Sequence, residues 1–320
     1  MNTQSELIGP LLRDVSRSFY LTLRVLPNAV RPQISVAYLL ARASDTIADT
    51  DAVPRAKRVL LLQQYQSLTR VPQLGEVAGQ QALPAERLLL ERLEDVFGTL
   101  DSFTEEDCRR IQELLHIIVG GQIFDLQRFP QGKLTALADD TELDRYTYMV
   151  AGCVGEFWTR MCAAHVPGWQ NQGMEEWGVR FGKGLQLVNI LRDIPKDLRI
   201  GRCYLPVMQP DRLLEPGNFP EFRGVYQHWL RVAVNYLDAA WEYTMQIPGN
   251  QRRLRLACVW PIWIGQKTIA RLRTGNPLDP ANRIKITRGE VYAIMAKSVM
   301  NCRSDRALTK EFQRLRSASV

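Results

Sequence analysis

The chain reads as an all-α protein, and three observations carry that reading. Apolar residues recur at three- and four-residue steps over residues 15–26, 34–47, 87–97, 106–124, 143–161, 175–191 and 225–245. That is the period of a helix with one buried face. Strand-like alternation is nearly absent, and no Asn-Gly or Asp-Gly pair lies between apolar runs to turn a hairpin. Prolines and glycines fall between the periodic segments, where they end one helix and open the next.

Taken in order, each segment has its own boundary signal. Segment 15–26 is stopped by Pro27, and 34–47 lies ahead of Pro54. Segment 87–97 follows Pro84. Segment 106–124 is opened by Thr104-Glu105-Glu106-Asp107, which places acids at the positive end of the helix dipole. Pro130 closes it. Segment 143–161 ends before Pro167 and Gly168, and 225–245 lies between Pro216-Gly217 and Pro248-Gly249. Pro195 sits just beyond segment 175–191, where a missing donor predicts a kink. Pro261 predicts another kink in the apolar run 256–265. No Ser/Gly linker and no repeat of fixed period divides the chain, so one helical domain over 1–320 is expected.

Composition excludes several classes. With 46% hydrophobic and 23% charged residues, the chain is neither disordered nor collagen-like. The six cysteines form no C-x-x-C pair and the three histidines lack ligand spacing. Disulfides and zinc are therefore not expected, and free thiols fit a cytoplasmic location. No signal peptide is read at the N-terminus, and no window reaches the ~18 apolar residues of a membrane span. The net charge of +7 is uneven: residues 251–320 carry 15 basic and 4 acidic side chains, a net of +11. The first 250 residues carry 26 basic and 30 acidic, a net of −4. A basic end suggests an anionic partner: phosphate, a membrane surface or nucleic acid. No nucleic-acid reading motif appears, so that partner is not expected. Trp260 and Trp263, close to Pro261, suit a peripheral contact with a membrane interface.

The most informative residues are two carboxylate pairs. Asp45 and Asp49 stand one helical turn apart at the end of an apolar segment. Asp193 and Asp197 repeat that spacing at the end of another, with Asn189 ahead of them on the same face. Like charges at this spacing repel by a few tenths of a kcal/mol, and a cation between them removes the penalty. Magnesium takes oxygen ligands and joins one or two carboxylates to substrate phosphates. Two such pairs therefore suggest a diphosphate site with Mg2+ at Asp45, Asp49, Asp193 and Asp197. A solvated helix face is the plainer account of either pair alone.

At these residues the chain resembles the squalene/phytoene synthase family. Val15-Ser16-Arg17-Ser18-Phe19 is similar to the family's V-S-R-S-F block, and Tyr38 to Asp49 to its first aspartate motif with upstream Tyr38 and Arg42. Tyr146 to Gly155 resembles the Y-x-x-x-V-A-G-x-V-G block. Gln186 to Asp197, then Gly201-Arg202-Cys203-Tyr204, resembles the second aspartate motif and its tail. The resemblance implies the all-α isoprenoid synthase bundle with a central apolar cavity, head-to-head condensation of two prenyl diphosphates, here two farnesyl diphosphates, and Asn189 as an aid to the four aspartates in holding Mg2+. The V-S-R-S-F block, the A-x-D-T-x-x-D form of the first motif, and the stretch Arg283 to Gly289 are most similar to squalene synthases. That implies squalene as product with NADPH as reductant, held by Arg17, Lys285 and Arg288. Pro195 and Lys196 depart from the second motif, where relatives often carry another carboxylate, and Thr287 stands where squalene synthases often carry arginine. The related alternatives are presqualene diphosphate, dehydrosqualene or phytoene synthesis without reduction. From another class, a non-catalytic helical assembly protein is the alternative.

The resemblance gives each remaining residue a role. Tyr146 is the catalytic position, as proton relay or cation stabiliser, against a plain core tyrosine. Arg42, Arg192 and Arg202 are diphosphate contacts, or else carboxylate partners within the site. Ser16, Arg17, Ser18 and Phe19 form a substrate rim, with core packing equally open for Phe19. Tyr38, Val150, Ala151, Gly155, Gln186, Asn189 and Tyr204 complete the substrate contacts. For Gly155 the alternatives are room for the prenyl chain and close helix packing. Phe157, Trp158, Trp260 and Trp263 line the cavity or belong to the core.

Overall fold

A computed structural model describes residues 6–16, 19–67, 71–169, 172–282 and 284–319. It divides into two compact units. The first comprises Met1–Gln127 and Arg160–Pro167, the second Arg128–Thr159 and Gly168–Val320.

The first unit contains α1 (Leu12–Ser16), α2 (Tyr20–Val25), α3 (Arg31–Asp49), α4 (Arg55–Gln66), α5 (Gly75–Gly79), α6 (Pro84–Glu91), α7 (Leu93–Gly98) and α8 (Glu105–Arg128, whose last residue belongs to the second unit). Helix α3 starts with Pro32 in its first turn and buries Ile34, Leu39, Leu40, Ala43 and Ile47, against α4, α6 and α7. Proline fits that first turn because its missing N–H has no helical partner there. Helix α8 begins as the sequence predicts. The Asp107 amide donates to Thr104 Oγ1 at 3.2 Å, and Glu105, Glu106 and Asp107 fill the first turn. The Asp107 carboxylate is buried. His165 Nε2 lies 2.8 and 3.0 Å from its oxygens, Arg110 Nη1 donates at 2.9 Å and Gln33 Nε2 at 3.3 Å. This paired charge ties α3 and α8 to residue 165.

The second unit contains α9 (Asp140–Thr147), α10 (Cys153–His165, whose last six residues belong to the first unit), α11 (Met174–Arg199), α12 (Phe219–Gln246), α13 (Arg252–Thr274), α14 (Arg288–Asn301) and α15 (Asp305–Ser319). A two-residue parallel pairing joins β1 (Thr135–Ala136) to β2 (Arg202–Cys203). Helix α11 packs along α12, and α13 packs on α11, α12, α14 and α15. Helix α11 runs on through Pro195 to Arg199, so both carboxylates of the second motif are helical. The predicted helix over 143–161 is instead two helices joined by a widened π-helical turn at Tyr148–Gly152. Such turns concentrate at functional sites, and apolar periodicity does not reveal them.

Tryptophans 260 and 263 are in the core, which corrects their reading as membrane-interface residues. Trp263 is fully buried, and the buried Trp260 indole N–H donates to Ser298 Oγ at 2.7 Å. An indole so placed has no polar end left for lipid headgroups. Phe157 is likewise buried. All six cysteines are free, and burial pushes the Cys153, Cys203 and Cys258 thiols up to about 12. No helix among the described residues is long and apolar enough to cross a membrane.

Glycines set the α10–α11 spacing. A methyl at Gly155 would overlap the Gly178 carbonyl, and one at Gly182 the Ala151 carbonyl. A methyl at Gly178 would fall 2.5 Å from Thr159 Oγ1 and 2.7 Å from the Gly155 oxygen. Of the two readings of Gly155, close helix packing is therefore the one realised, and its bare face meets backbone rather than open space. Gly155→Ala should lower stability by about 3 kcal/mol, since backbone atoms cannot step aside as side chains do. Chemical denaturation checks this. An unchanged midpoint would mean the two helices are free to separate.

Candidate active site

Helix α3 presents the first motif on its last two turns. Asp49 is its final residue and Asp45 lies one turn earlier. A helix C-terminus carries negative partial charge, so both carboxylates are placed where the backbone opposes them. Burial first, and then the charge of Asp49, push Asp45 up to about 6, against the lowering effects of Arg42 and Gln122. Gln122, from the buried stripe of α8, donates its Nε2 to Asp45 Oδ1 at 2.5 Å. Arg42 is ion-paired with Glu86 of α6. Beneath the motif, buried Tyr65 donates its hydroxyl to the Leu40 carbonyl at 2.8 Å.

The rim residues separate. Phe19 is 37% exposed and stacks on Tyr38 with ring centroids 5.4 Å apart, so it is not plain core. Ser16 is buried and returns its hydroxyl to the Leu12 carbonyl of its own helix. Arg17 and Ser18 lie outside the described residues, as does Arg283.

Helix α11 carries the second motif. Gln186, Asn189, Asp193 and Asp197 follow one another at three- and four-residue steps, which keeps them on one face. Asn189 is exposed. Arg192 grips the Asp193 carboxylate with both prongs, Nε at 2.8 Å and Nη2 at 2.6 Å, a geometry only guanidinium offers. Arg42 and Arg192 thus have carboxylate partners in this structure. Gly201, at φ 85°, turns the chain out of α11. The turn feeds β2, and β2 sets Arg202 and Tyr204 in place. A small pocket brings together Asp197, Arg202 and Tyr204 with the apolar side chains of Ile194, Leu205 and Phe222.

Tyr146, near the end of α9, is buried and stacks on Tyr204 with centroids 4.9 Å apart and planes 20° from parallel. Tyr204 meets Phe129 edge-on at 5.1 Å. Two residues before Tyr146, Asp144 accepts from Lys183 Nζ at 2.7 and 2.8 Å and from the Tyr236 hydroxyl at 3.3 Å. These bonds fix α9 to α11 and α12. Val150 and Ala151 lie in the π-helical turn and are part-exposed.

The basic stretch near the end is partly structural. The Lys285 carbonyl accepts from Arg271, and Arg288 begins α14 with its side chain exposed. Thr287 caps α14. The Glu290 amide donates to its hydroxyl at 3.3 Å, and its own amide donates to Glu290 Oε2 at 3.0 Å. A hydroxyl suits that cap where arginine does not. The Thr287 cap, with Lys267 and Arg271, pulls Glu290 down to about 2.

Sequence reading missed Gln122, Glu86, Lys183 and Phe129. Gln122 alone left a signal: a polar residue on the apolar stripe Leu115, Ile118, Val119 and Leu126. The donor chemistry fits a hard cation. Each aspartate pair offers oxygen only, and two carboxylates are what magnesium commonly takes beside waters and phosphates. Among the described residues no group of three or more His, Cys, Asp or Glu side chains stands together as a metal site.

The squalene/phytoene synthase family profile matches residues 12–290. The chain belongs to the squalene/phytoene synthase family. A presqualene diphosphate synthase of Zymomonas mobilis subsp. mobilis is 32% identical over 194 residues, covering 60% of this chain and 56% of that protein. A bifunctional lycopene cyclase/phytoene synthase of Phycomyces blakesleeanus is 30% identical over 233 residues, covering 66% of this chain and 35% of that protein. The chain therefore spans about half, or less, of the length of these relatives. The solved complex of TcSQS with the ligand BPH1237 is similar with a TM-score of 0.79 at 18% identity, covering 100% of this chain and 93% of that chain. The fold of this family member is the all-α isoprenoid synthase fold.

Proposed function

We propose that this family member is a magnesium-dependent prenyltransferase that condenses two farnesyl diphosphates head to head into presqualene diphosphate. The observation that carries the reading is the electrostatic conflict at Asp45 and Asp49. Two carboxylates share the C-terminal turns of one helix, with the inner one held up to about 6. That arrangement costs stability unless a cation is present. The resemblance to a presqualene diphosphate synthase supports the product.

In this reading Asp45 and Asp49 hold magnesium, and so do Asp193 and Asp197 with Asn189. Magnesium bound there supplies the positive charge that lets diphosphate leave. Arg202, beside Asp197 and Tyr204, meets the diphosphate oxygens. Gln122 orients Asp45. The allylic C–O bond of one substrate breaks, and the double bond of the second attacks the freed carbon. One proton is lost as the cyclopropane closes; in this reading the Tyr146 phenol oxygen accepts it while passing its own proton to the departed diphosphate. The aromatic faces of Tyr146 and Tyr204 favour the cationic carbon.

A second reading continues to squalene with NADPH as hydride donor. It rests on the similarity of residues 283–289 to squalene synthases, with Arg17, Lys285 and Arg288 as contacts. One assay separates the readings: purified protein with farnesyl diphosphate and magnesium, with and without NADPH. Presqualene diphosphate in both arms is the expected result, and squalene confined to the NADPH arm carries the second reading. Dehydrosqualene without NADPH would replace the product assigned here. Turnover of a C20 diphosphate to phytoene would replace the substrate. No product from either diphosphate would favour a non-catalytic helical protein.

A further inference from the structure

The outward face of α14 is apolar. Ile294 and Ser298 are buried on its inner side, beneath which Trp260 bonds Ser298. On the opposite side Tyr292 is 62% exposed, Val299 51% and Met300 78%, with Ala293 and Ala296 exposed among them. A helix facing water normally turns polar residues outward. Here the unpaired outward charges lie at the ends, and Lys297 in the middle of the helix is paired with Glu311. Arg288, Tyr292 and Val299 follow at steps of four and seven residues, which keeps them on one side, and Arg303 lies in the turn just past the end of the helix. Contiguous exposed apolar surface of this kind marks an interaction site.

Charge selects the occupant. The acidic residues between 284 and 319 are Glu290, Asp305 and Glu311, and each is taken up by cations. Glu290 is held by Lys267 and Arg271, Asp305 by Arg255, and Glu311 by Lys297 and Arg314. Among the described residues no carboxylate pairs with Lys285, Arg288, Arg303, Arg306 or Lys310. The region is therefore apolar at its centre and cationic around it. A second copy docked two-fold on this face would set arginine against arginine. An anionic bilayer satisfies both features, because apolar side chains enter the headgroup–acyl boundary while arginines meet lipid phosphates. Tyrosine is at home at that depth.

We propose that α14 docks this protein onto anionic membrane surfaces, with Tyr292, Val299 and Met300 inserted and Arg288 and Arg303 on the phosphates. This surface is distinct from the buried tryptophans of α13, and docking needs no turnover. The test is co-sedimentation of the full chain with vesicles of phosphatidylcholine alone or with 30% phosphatidylglycerol (about that fraction suffices for a strong negative surface potential). Sedimentation with the anionic vesicles is expected, weakening at high salt. Tyr292→Ser/Val299→Ser/Met300→Ser should reduce it by about tenfold or more, with circular dichroism unchanged. Arg288→Gln/Arg303→Gln should do the same for anionic vesicles alone. Failure of the unaltered protein to sediment overturns the proposal. So does a dimer in analytical ultracentrifugation that the triple substitution dissolves, since a second copy would then own the face.

Discussion

Asp45→Asn is expected to abolish condensation while raising the melting temperature of the metal-free protein. The two effects share one cause. The folded chain holds Asp45 up to about 6 through burial and the neighbouring Asp49 charge, whereas an unfolded aspartate titrates near 3.9. The folded state thus favours the protonated form. Its favourable contribution is complete below about pH 4 and disappears as pH rises through about 6. At pH 8 the ionised carboxylate weakens the fold by about 1–3 kcal/mol. Asparagine carries no charge and still accepts from Gln122 through its carbonyl. The stabilisation of the variant should therefore be largest above pH 6 and vanish near pH 4. Turnover should fall about a thousandfold or more, because the proposed magnesium site then loses a ligand. Melting curves at pH 4 and pH 8, with and without magnesium, check the first half, and a product assay checks the second. Magnesium should stabilise the unaltered protein at pH 8 and the variant much less. A variant that melts lower at pH 8 and turns over normally would sink the assignment.

The helices on which both motifs stand were legible because each buries one stripe. Helices α3, α8, α11 and α12 all appear at the apolar period, lengthened in the structure by five to nine residues. The later helices were harder for a physical reason. In α13 consecutive residues from Leu254 to Trp260 are all buried, so no stripe stands out. In α14 apolar residues lie on both sides, which blurs the period. The π-helical turn at Tyr148–Gly152 leaves no mark because it alters hydrogen bonding rather than composition.

The site divides in the same way. Spacing alone picks out Asp45, Asp49, Asp193 and Asp197, because a one-turn repeat is a property of the sequence. Their partners come from distant segments. Nothing near Arg42 announces Glu86, and nothing near Asp45 announces Gln122, 77 residues away. Glycine is ambiguous for a related reason. An absent side chain describes only what could approach, and it took the position of Gly178 to show that Gly155 faces a second backbone. The decisive information was in each case which surface lies opposite.

Tyr146→Phe is expected to lower turnover by two to three orders of magnitude with little change in stability. The substitution removes one hydroxyl and keeps the ring, so the stack on Tyr204 at 4.9 Å survives. The reading given to Tyr146 has two parts, and the variant separates them. Proton transfer by a positioned side chain contributes about 10²–10⁴ in rate, and phenylalanine forfeits all of it. Stabilisation of a cation by the ring face is retained by phenylalanine and lost in Tyr146→Leu. A large loss in the phenylalanine variant, with a further loss in leucine, assigns both roles. The change should fall on kcat with KM nearly constant, because a group engaged only as the ring closes adds nothing to substrate binding. Leucine should also destabilise the fold by about 1–3 kcal/mol, since it breaks the aromatic run from Tyr146 through Tyr204 to Phe129. Comparing single-turnover rates with melting curves keeps chemistry and packing apart. Should the phenylalanine variant turn over within about threefold of the unaltered protein, the phenol has no part in moving the proton. The base would then have to be sought among other groups of the site, the departing diphosphate included.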